Sequence, residues 1–313
     1  MNKVFCLGEA MSDTFISLEE AKIVKGREKM ICLPYGEKIN VSKMAHKSGG
    51  SAFNVSVGLG RLGLDSYLMA SVGKDSEGQR LKSAMDKERI DTSNVIQSPK
   101  FETKAAIILN GDDGDRTIFV YHGRGILKKG MIDWGRIEDG SWFYLGPLPD
   151  TAKELIDYLL EVVAKKNLKL IVNPGSVQVE WSKENNLRIM AKSELYVLNK
   201  EEAGKILRNT KKNKELLRRF IKTGAKKVII TDGMNGSMAY DGRNYYKQDI
   251  VKVKTKDMTG AGDAFLAGVV GGLIHGKKLD QAMKWGAINS ASVVTKHGAQ
   301  AGLLNLKEIE EKN

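Results

Sequence analysis

Short apolar runs alternate with longer amphipathic segments along most of the chain. The short runs are typical of buried β-strands, and the longer segments show the apolar spacing of helices that pack on a sheet. Since each predicted strand is followed by helical sequence, the pattern predicts an α/β fold, with a mostly parallel central sheet flanked by helices. The predicted elements are the strands Lys3–Leu7, Ser66–Val72, Ser141–Leu145, Leu168–Val172, Leu195–Leu198 and Lys227–Thr231 and the helices Ser51–Leu62, Ser76–Lys87 and Ala152–Lys165.

Two segments depart from this alternation. Met30–Met44 and Thr103–Tyr121 contain β-prone runs around turn residues, and the sequence GDDGD at Gly111–Asp115 has the composition of a hairpin tip. Because no crossover helix follows either segment, they predict a small antiparallel flap beside the main sheet, although ordinary loop excursions would leave the same pattern. A flap of this kind can serve as a lid over a site. We expect one domain over residues 1–313, with lid strands inserted at about 15–46 and 100–123.

Composition places the chain among globular proteins. Apolar residues make up 42% and charged residues 28% of its 313 positions, which allows a sizeable core. The two cysteines, Cys6 and Cys32, exclude a disulfide framework and suit a reducing compartment. An acidic residue, Glu9, lies close to the start, and no apolar run approaches the ~18 residues of a membrane span. We therefore expect a soluble, cytoplasmic protein that has no membrane partner.

The charge balance is basic, since 50 Lys and Arg against 38 Asp and Glu give a formal net charge of +12. A positive field favours an anionic small molecule, for example a nucleoside triphosphate. Lysines are concentrated in Asn209–Arg219 and Lys222–Lys227, yet these stretches lack the interleaved aromatic residues on which the bases of nucleic acids stack. We interpret them as solvated helix faces and expect no nucleic-acid partner.

The segment Asp257–Phe265, with the sequence DMTGAGDAF, opens an apolar helix. The small residues Gly260, Ala261 and Gly262 at a helix start leave backbone N–H groups accessible, and the helix dipole adds partial positive charge there. This combination suits a phosphate or a developing phosphoryl charge. Asp263 in the first turn has two interpretations: a general base for a substrate hydroxyl group, or a cap for the helix.

A second small-residue segment, Gly49-Gly50-Ser51-Ala52-Phe53-Asn54, precedes the first predicted helix. Paired glycines allow a ligand to approach the backbone closely, and the Asn54 amide can hydrogen-bond vicinal hydroxyl groups. A plain turn before a helix would have the same composition. The segment is neither a Walker A loop nor a complete GxGxxG motif.

Taken together, these segments resemble the ribokinase-like (PfkB) family of carbohydrate kinases. The matching motifs occur in the family's order over nearly the whole chain, and the resemblance implies a ribokinase-like fold with a small β-sheet lid. GGSAFNVSVGLGRLG, continuing to ASVGKDSEGQRL, is similar to the N-terminal signature, and DMTGAGDAFLAGVVGGL to the C-terminal one. The other matching segments are LGEAMSD near the start, PYGEK at Pro34–Lys38, Asn199-Lys200-Glu201-Glu202 as the N-x-x-E motif and Thr231–Gly236 as the T-x-G-x-x-G nucleotide loop.

The resemblance implies transfer of a phosphoryl group from ATP to a sugar hydroxymethyl group, with Mg²⁺ and in many members K⁺. By motif it implies Asp263 as the catalytic base and Gly260, Ala261 and Gly262 as the anion hole. Glu202 would organise the water shell of Mg²⁺, although N-x-x-E is also the pattern of a helix capping box. The remaining implied residues are Asp13, Gly49, Gly50, Asn54 and Arg124 for the sugar, Asn199, Thr231, Gly233 and Gly236 for the nucleotide, and Asp257, Thr259 and Gly298 for the monovalent cation.

Departures from the family pattern bear on the acceptor. Gly146 stands where ribokinases carry a sugar-binding Glu, which counts against ribose, and the fructokinase D-x-N-x-R segment is missing. His122 is an alternative to Arg124 beside the lid hairpin. We expect a fructose-like sugar or a keto-sugar acid as the acceptor. A nucleoside is the alternative within the family, because the apolar lid edge at Ala105–Ile107 could face a base.

Two further expectations concern activity and assembly. A nucleotide-binding regulator without catalysis is the alternative from another class of protein. The presence of Asp263 together with the Gly-Ala-Gly run counts against it, because a pure binder needs no base beside the anion hole.

Lids in this family often pair between subunits, and exposed strand edges favour such pairing, so we expect a homodimer through the lid.

Overall fold

The computed structural model describes residues 2–18, 22–25, 29–110, 116–207 and 213–313. The strands in these ranges are β1 (Lys3–Leu7), β2 (Met11–Leu18), β3 (Lys22–Lys25), β4 (Lys29–Cys32), β5 (Val41–Gly49), β6 (Asp65–Gly73), β7 (Asp91–Ser98), β8 (Lys104–Asn110), β9 (Arg116–Tyr121), β10 (Trp142–Leu145), β11 (Lys169–Val172), β12 (Ser193–Asn199), β13 (Val228–Thr231), β14 (Ser237–Tyr240) and β15 (Tyr245–Gln248). The α-helices are α1 (Ser51–Arg61), α2 (Ser76–Met85), α3 (Lys153–Lys165), α4 (Gly175–Val179), α5 (Lys183–Met190), α6 (Lys200–Leu207), α7 (Asn213–Lys222), α8 (Ala261–Ile274), α9 (Leu279–Val294) and α10 (Leu306–Glu311).

The largest sheet has the strand order β15-β14-β13-β12-β11-β10-β1-β6-β7. The strands from β13 through β1 to β7 are parallel, and β14 and β15 are antiparallel at one edge. This arrangement confirms the predicted α/β fold with a mostly parallel central sheet. In the described part of the chain, no helix is both long enough and apolar enough to cross a bilayer.

Burial on both faces explains why the central strands are apolar runs. In β1, Val4 and Cys6 belong to an apolar cluster with side chains of α1, α8 and α9, whereas Phe5 and Leu7 belong to another with side chains of α3 and α7. Successive side chains of a strand point to opposite faces. Two layers of helices therefore enclose the sheet, as is usual for parallel sheets.

The structure departs from the prediction after β13. We expected helical sequence there, but a short 3-10 turn, Gly233–Asn235, leads into the antiparallel β14–β15 hairpin. Gly233 and Gly236 have φ values of 52° and 79°, a region that favours glycine. A β-carbon at Gly236 would also lie 2.2 Å from the carbonyl oxygen of Gln248. The glycines that resemble a nucleotide loop are thus also the residues that allow this tight entry into the hairpin.

A second, four-stranded sheet with the order β5-β2-β8-β9 accompanies the main sheet. Its β5–β2 and β8–β9 pairs are antiparallel, as predicted for a flap, whereas β2 and β8 pair in parallel. The flap starts earlier than expected, because β2 begins at Met11, three residues after β1 ends. The three consecutive polar residues Ser12, Asp13 and Thr14 interrupt the apolar pattern by which a strand is recognised in the sequence. The predicted hairpin tip, Gly111–Asp115, lies outside the described residues.

Candidate active site

No side chain in the described part of the chain caps the amino terminus of α8. Its N-cap residue, Gly260, has a φ of 77°, and a β-carbon there would lie 2.4 Å from Cβ of Ala299. Among the first N–H groups of the helix, which have no partner within it, the Ala261 N–H donates to the carbonyl of Met258 at 3.3 Å. The helix dipole is positive at this end, so the helix start can attract an anion.

The carboxylate of Asp263, in the first turn of α8, is held by α1 and does not cap α8. The Ser51 hydroxyl donates to Oδ1 at 2.7 Å, and Nδ2 of Asn54 donates to Oδ2 at 2.8 Å. These contacts rule out the helix-cap interpretation of this residue. Burial raises the pKa of Asp263 above its ordinary value, and the hydrogen bonds from Asn54 and Ser51 partly oppose that rise.

The two glycines before α1 bring that helix close to the start of β2. A β-carbon at Gly49 would lie 2.1 Å from Oδ2 of Asp13, and one at Gly50 would lie 2.5 Å from the carbonyl oxygen of Glu9. Gly50 is also the N-cap of α1, with a φ of 93°. Glycine is therefore required at Gly50, and a side chain at Gly49 would displace the Asp13 carboxylate, which a plain turn before a helix would not explain.

Gln300 orients Asn54, although no sequence motif marked it. Its Nε2 donates to Oδ1 of Asn54 at 2.9 Å. With Oδ1 occupied as an acceptor, the amide nitrogen of Asn54 is directed at Asp263. Ser51, which donates to Asp263, was likewise not predicted as a site residue from the sequence. Gln300 and Asn54 are 246 positions apart in the sequence and meet only in the folded chain. No local sequence pattern could therefore have identified Gln300.

A cavity of about 340 Å³ lies between these residues and the second sheet; we call it the acceptor cavity. Asp13 and Asp263 both line it, and Asp13 is only 6% exposed. Burial raises the pKa of Asp13 to about 7, and the negative charges of Asp263 and Asp257 add to the rise. The other polar residues that line this cavity are Glu9, Ser51, Asn54, His122, Ser176 and Thr259.

The second sheet presents a mostly apolar face to the acceptor cavity. Successive residues of β8 point to opposite faces of the sheet. The expectation that Ala105–Ile107 as a whole form the apolar edge is therefore wrong: only Ala106 of these lines the cavity, and Ile107 is 44% exposed. The apolar residues that line the cavity are Met11, Ala106, Ile108, Ile118, Val120, Pro147 and Leu148.

The structure does not place Arg124 in the acceptor cavity. Its side chain is 81% exposed and lies 3.3 Å from Oε1 of Glu102, whereas His122 lines the cavity. The chain turns at Gly123, which has a φ of 65° and whose β-carbon would lie 2.3 Å from the carbonyl oxygen of Glu102. Because of this turn, His122 and Arg124 diverge, and His122 is the better candidate of the two.

A second cavity, of about 460 Å³, adjoins the same helix start; we call it the donor cavity. Ala261 and Gly262 line it, while Gly260 and Asp263 line the acceptor cavity, so the first turn of α8 lies between the two. The predicted nucleotide residues Thr231, Gly233 and Gly236 also line the donor cavity. No motif marked its apolar walls, which include Ile250, Val251, Val253, Ala287, Ala291 and Val294.

Asn199 and Glu202 form the reciprocal hydrogen bonds of a capping box at the start of α6. The Glu202 N–H donates to Oδ1 of Asn199, and the Asn199 N–H donates to Oε2 of Glu202, each at 2.9 Å. Neither residue lines the donor cavity. Lys200 between them donates to Asp232 at 2.8 Å, which ties α6 to the turn that lines the cavity. Burial raises the pKa of Glu202.

Asp257, Thr259 and Gly298 come together beside the start of α8. Oδ1 of Asp257 accepts from the Thr259 N–H and Oδ2 accepts from the Gly298 N–H, each at 2.9 Å. The Thr259 hydroxyl is buried and has no hydrogen-bond partner in the described residues. An unpartnered hydroxyl beside a buried carboxylate fits the oxygen ligands of a hard cation. No group of three or more His, Cys, Asp or Glu side chains that could hold a metal ion occurs in the described ranges.

Comparisons with known proteins identify the family and the fold. A sequence profile described as "pfkB family carbohydrate kinase" matches residues 1–306. The chain is 25% identical to an ATP-dependent 6-phosphofructokinase of Thermoanaerobacterium thermosaccharolyticum, over 90% of this chain and 89% of that one. It is similar in structure to a ribokinase of Thermotoga maritima (TM-score 0.83, 21% identity, 100% of both chains). It is also similar to a nucleoside kinase of Methanocaldococcus jannaschii (TM-score 0.77, 24% identity, 100% of this chain and 98% of that one). These structures confirm the ribokinase-like fold.

The raised pKa of Asp13 predicts how stability depends on pH. Between its ordinary value of 3.8 and about 7, the folded protein keeps a proton that the unfolded chain releases. Wild-type stability should therefore fall as the pH rises through this window, and Asp13→Asn should relieve the loss. We expect the difference in Tm, variant minus wild type, to be near zero at pH 4 and to reach about 2–6 °C at pH 8.

Thermal unfolding followed by circular dichroism at several pH values measures this difference. The matched control is Asp65→Asn, because Asp65 is an exposed aspartate outside both cavities. A Tm difference for Asp13→Asn that stays constant from pH 4 to pH 8 would contradict the prediction.

Proposed function

The chain belongs to the pfkB family of carbohydrate kinases, and we propose on that basis that it transfers the γ-phosphoryl group of ATP to a terminal hydroxyl group of a monosaccharide. One observation carries the proposal. The first turn of α8 lies between a cavity with two aspartates and a cavity with apolar walls. A phosphoryl group at this turn would be within reach of an acceptor on one side and a nucleotide on the other.

Asp263 is the proposed general base. It accepts the proton of the acceptor hydroxyl group, whose oxygen then attacks the γ-phosphorus while the bond to the β-phosphate oxygen breaks and ADP leaves. Ser51 and Asn54 fix the carboxylate for this step. Its raised pKa makes Asp263 a stronger base than an exposed aspartate.

The start of α8 is the proposed site of phosphoryl stabilisation. Gly260, Ala261 and Gly262 carry no side chain that would screen the backbone N–H groups, and the positive end of the dipole faces the transferred charge. Phosphoryl transfer depends mainly on positioning and on charge stabilisation. We propose that closure of the second sheet, the lid, completes this positioning and excludes water.

Magnesium and a monovalent cation are proposed cofactors. Mg²⁺ bound to ATP would neutralise phosphate charge, and Glu202 and Asn199 would contact its water shell. The capping box uses Oε2 of Glu202 and Oδ1 of Asn199, so Oε1 of Glu202 is the carboxylate oxygen that would accept from magnesium-bound water. For K⁺, the candidate ligands are Asp257, Thr259 and the Gly298 region, where the buried Thr259 hydroxyl has no hydrogen-bond partner among the described residues.

The acceptor is proposed to bind through Asp13, Gly50 and Asn54. A carboxylate and an amide in fixed positions can hydrogen-bond neighbouring hydroxyl groups of a fructose-like sugar or a keto-sugar acid. A nucleoside is the second candidate, because the lid residues Ala106 and Ile108 give the cavity an apolar wall that a base could contact. A nucleotide-binding regulator without catalysis would use the same donor cavity but would need no base.

We expect Asp263→Asn to lower kcat by at least ~10²-fold, the usual scale for a general base. The nucleotide affinity should change little, because Asp263 lines only the acceptor cavity. The measurement is ADP release with ATP, Mg²⁺ and a panel of fructose, 2-keto-3-deoxygluconate, ribose, adenosine and inosine, with ATP affinity from calorimetry. Asp65→Asn is the control and should behave as wild type.

The outcomes of this assay separate the alternatives. Activity of Asp263→Asn within a few-fold of wild type would contradict the general-base role of Asp263. ATP binding without turnover on any acceptor would favour the regulator. No ATP binding at all would overturn the proposed donor site.

The cation proposal predicts that K⁺ raises activity relative to Na⁺ and that Thr259→Val abolishes this response. Valine keeps the shape of threonine but removes the hydroxyl group that would be a ligand. Initial rates in matched K⁺ and Na⁺ buffers measure the response. Thr92→Val, on the distant edge strand β7, is the control and should respond to K⁺ as wild type does. A K⁺ response that persists in Thr259→Val would contradict the ligand role.

We further propose a homodimer through the lid. In the described residues, β5 and β9 are the edge strands of the second sheet, and open edges favour strand pairing. Phe119 and Tyr121 of β9 are 55% and 53% exposed. Sedimentation equilibrium should give twice the chain mass, and Phe119→Lys should shift the population to monomer. A monomer at every concentration would refute this assembly.

A further inference from the structure

A charged pair in the wall of the acceptor cavity has no role in the proposed mechanism. Glu9, in the three-residue link between β1 and β2, lines the cavity. Nζ of Lys104 donates to Oε1 of Glu9. The side chains of Lys104 and Glu9 are only 16% and 21% exposed, so this is not a solvent-screened surface pair of the kind that contributes little.

Lys104 belongs to the face of the lid that covers the cavity. Alternate residues of a strand share a face, and Ala106 and Ile108, two and four residues further along β8, line the cavity. Met11, which pairs with Lys104 across the β2–β8 ladder, lines it as well. Without Glu9, the ammonium group of Lys104 would therefore be a free cation at the cavity wall.

The other ionisable groups of the acceptor cavity are mainly acidic. Asp13 and Asp263 line it, and in the described residues His122 is the one basic side chain that does so. Lys47 lies opposite Asp13 in the β2–β5 ladder, but its stem packs on Gly298, where a β-carbon would lie 3.1 Å from its Cγ. With Lys104 paired to Glu9, the residues that line the cavity offer an anionic acceptor more acidic than basic groups.

We propose that the Glu9–Lys104 pair makes the acceptor site select an uncharged polyol, a sugar or nucleoside that carries no phosphate or carboxylate. Glu9 masks the lysine that would otherwise bind such a group. Asp13 and Asp263 offer an anion no compensating positive charge, and in their ionised forms they repel it, since like charges in a partly buried site interact strongly. The inference rests on the proposed kinase function and narrows it, because it excludes a keto-sugar acid as the acceptor.

The test uses acceptors that differ in charge but share the hydroxyl group to be phosphorylated. Fructose is paired with fructose 6-phosphate if O1 is phosphorylated and with fructose 1-phosphate if O6 is phosphorylated, and uridine is paired with orotidine, its 6-carboxylate. For whichever pair is turned over, wild type should have at least about tenfold higher kcat/KM for the neutral member, which is ~1.4 kcal/mol. Equal use of both members, or preference for the anion, would overturn the proposal.

The matched variants change only the pair. Glu9→Gln keeps the shape of the side chain but frees the charge of Lys104, and it should raise the ratio of charged to neutral kcat/KM by about tenfold or more. Glu9→Gln combined with Lys104→Gln should return the ratio towards the wild-type value. Lys104→Gln alone leaves Glu9 unpaired and should lower the ratio of charged to neutral kcat/KM below the wild-type value. An unchanged ratio in all three variants would refute the role of the pair.

A binding measurement separates this inference from the kinase proposal. Inorganic phosphate, titrated calorimetrically, should bind Glu9→Gln about tenfold more tightly than wild type, and the double variant should lose this gain. Phosphate binding as expected without any ADP release would contradict the kinase function but support charge masking. ADP release with no change in phosphate affinity or acceptor ratio would contradict charge masking alone. Circular dichroism and Tm values confirm that each variant is folded.

Discussion

The uncapped amino terminus of α8 is the feature on which the rest of the site depends. A side-chain cap here would occupy N–H groups of a turn whose residues line both cavities. Asp263 is well placed to act as such a cap, and Ser51 and Asn54 hold its carboxylate instead. The same two contacts thus hold the carboxylate of Asp263, the proposed base, beside the helix start without capping it.

Glycines in the two signature segments serve packing as well as ligand approach. A β-carbon at Gly58 of α1 would lie 2.7 Å from Cβ of Ala267 in α8. One at Gly268 of α8 would lie 2.7 Å from the carbonyl oxygen of Trp285 in α9. Close helix contact fixes the relative position of side chains on those helices. The distance between Asn54 and Asp263 therefore depends on glycines that line neither cavity.

The sequence allowed prediction of those features that depend on neighbouring residues. The apolar runs of β1 and β10 and the small residues before α1 and α8 are local patterns, and the structure has the corresponding elements close to the expected positions. Features that depend on distant contacts were not predictable. Gln300 reaches Asn54 only through the packing of the C-terminal segment. The difference between His122 and Arg124 depends on a single turn at Gly123, and a shift of one residue reverses which side chain faces the cavity.

The two cysteines differ in accessibility, because Cys6 is buried and Cys32 is exposed. Cys6 lies in the core strand β1, where burial raises the pKa of its thiol to about 12, so it forms almost no thiolate near neutral pH. Cys32 is exposed at the end of β4, in the hairpin between the lid strands β2 and β5. A thiol-reactive fluorophore would therefore label the wild-type protein at one position, close to the lid, and no cysteine would have to be added or removed. Its emission on addition of acceptor or nucleotide would reveal which of the two alters the surroundings of the lid hairpin.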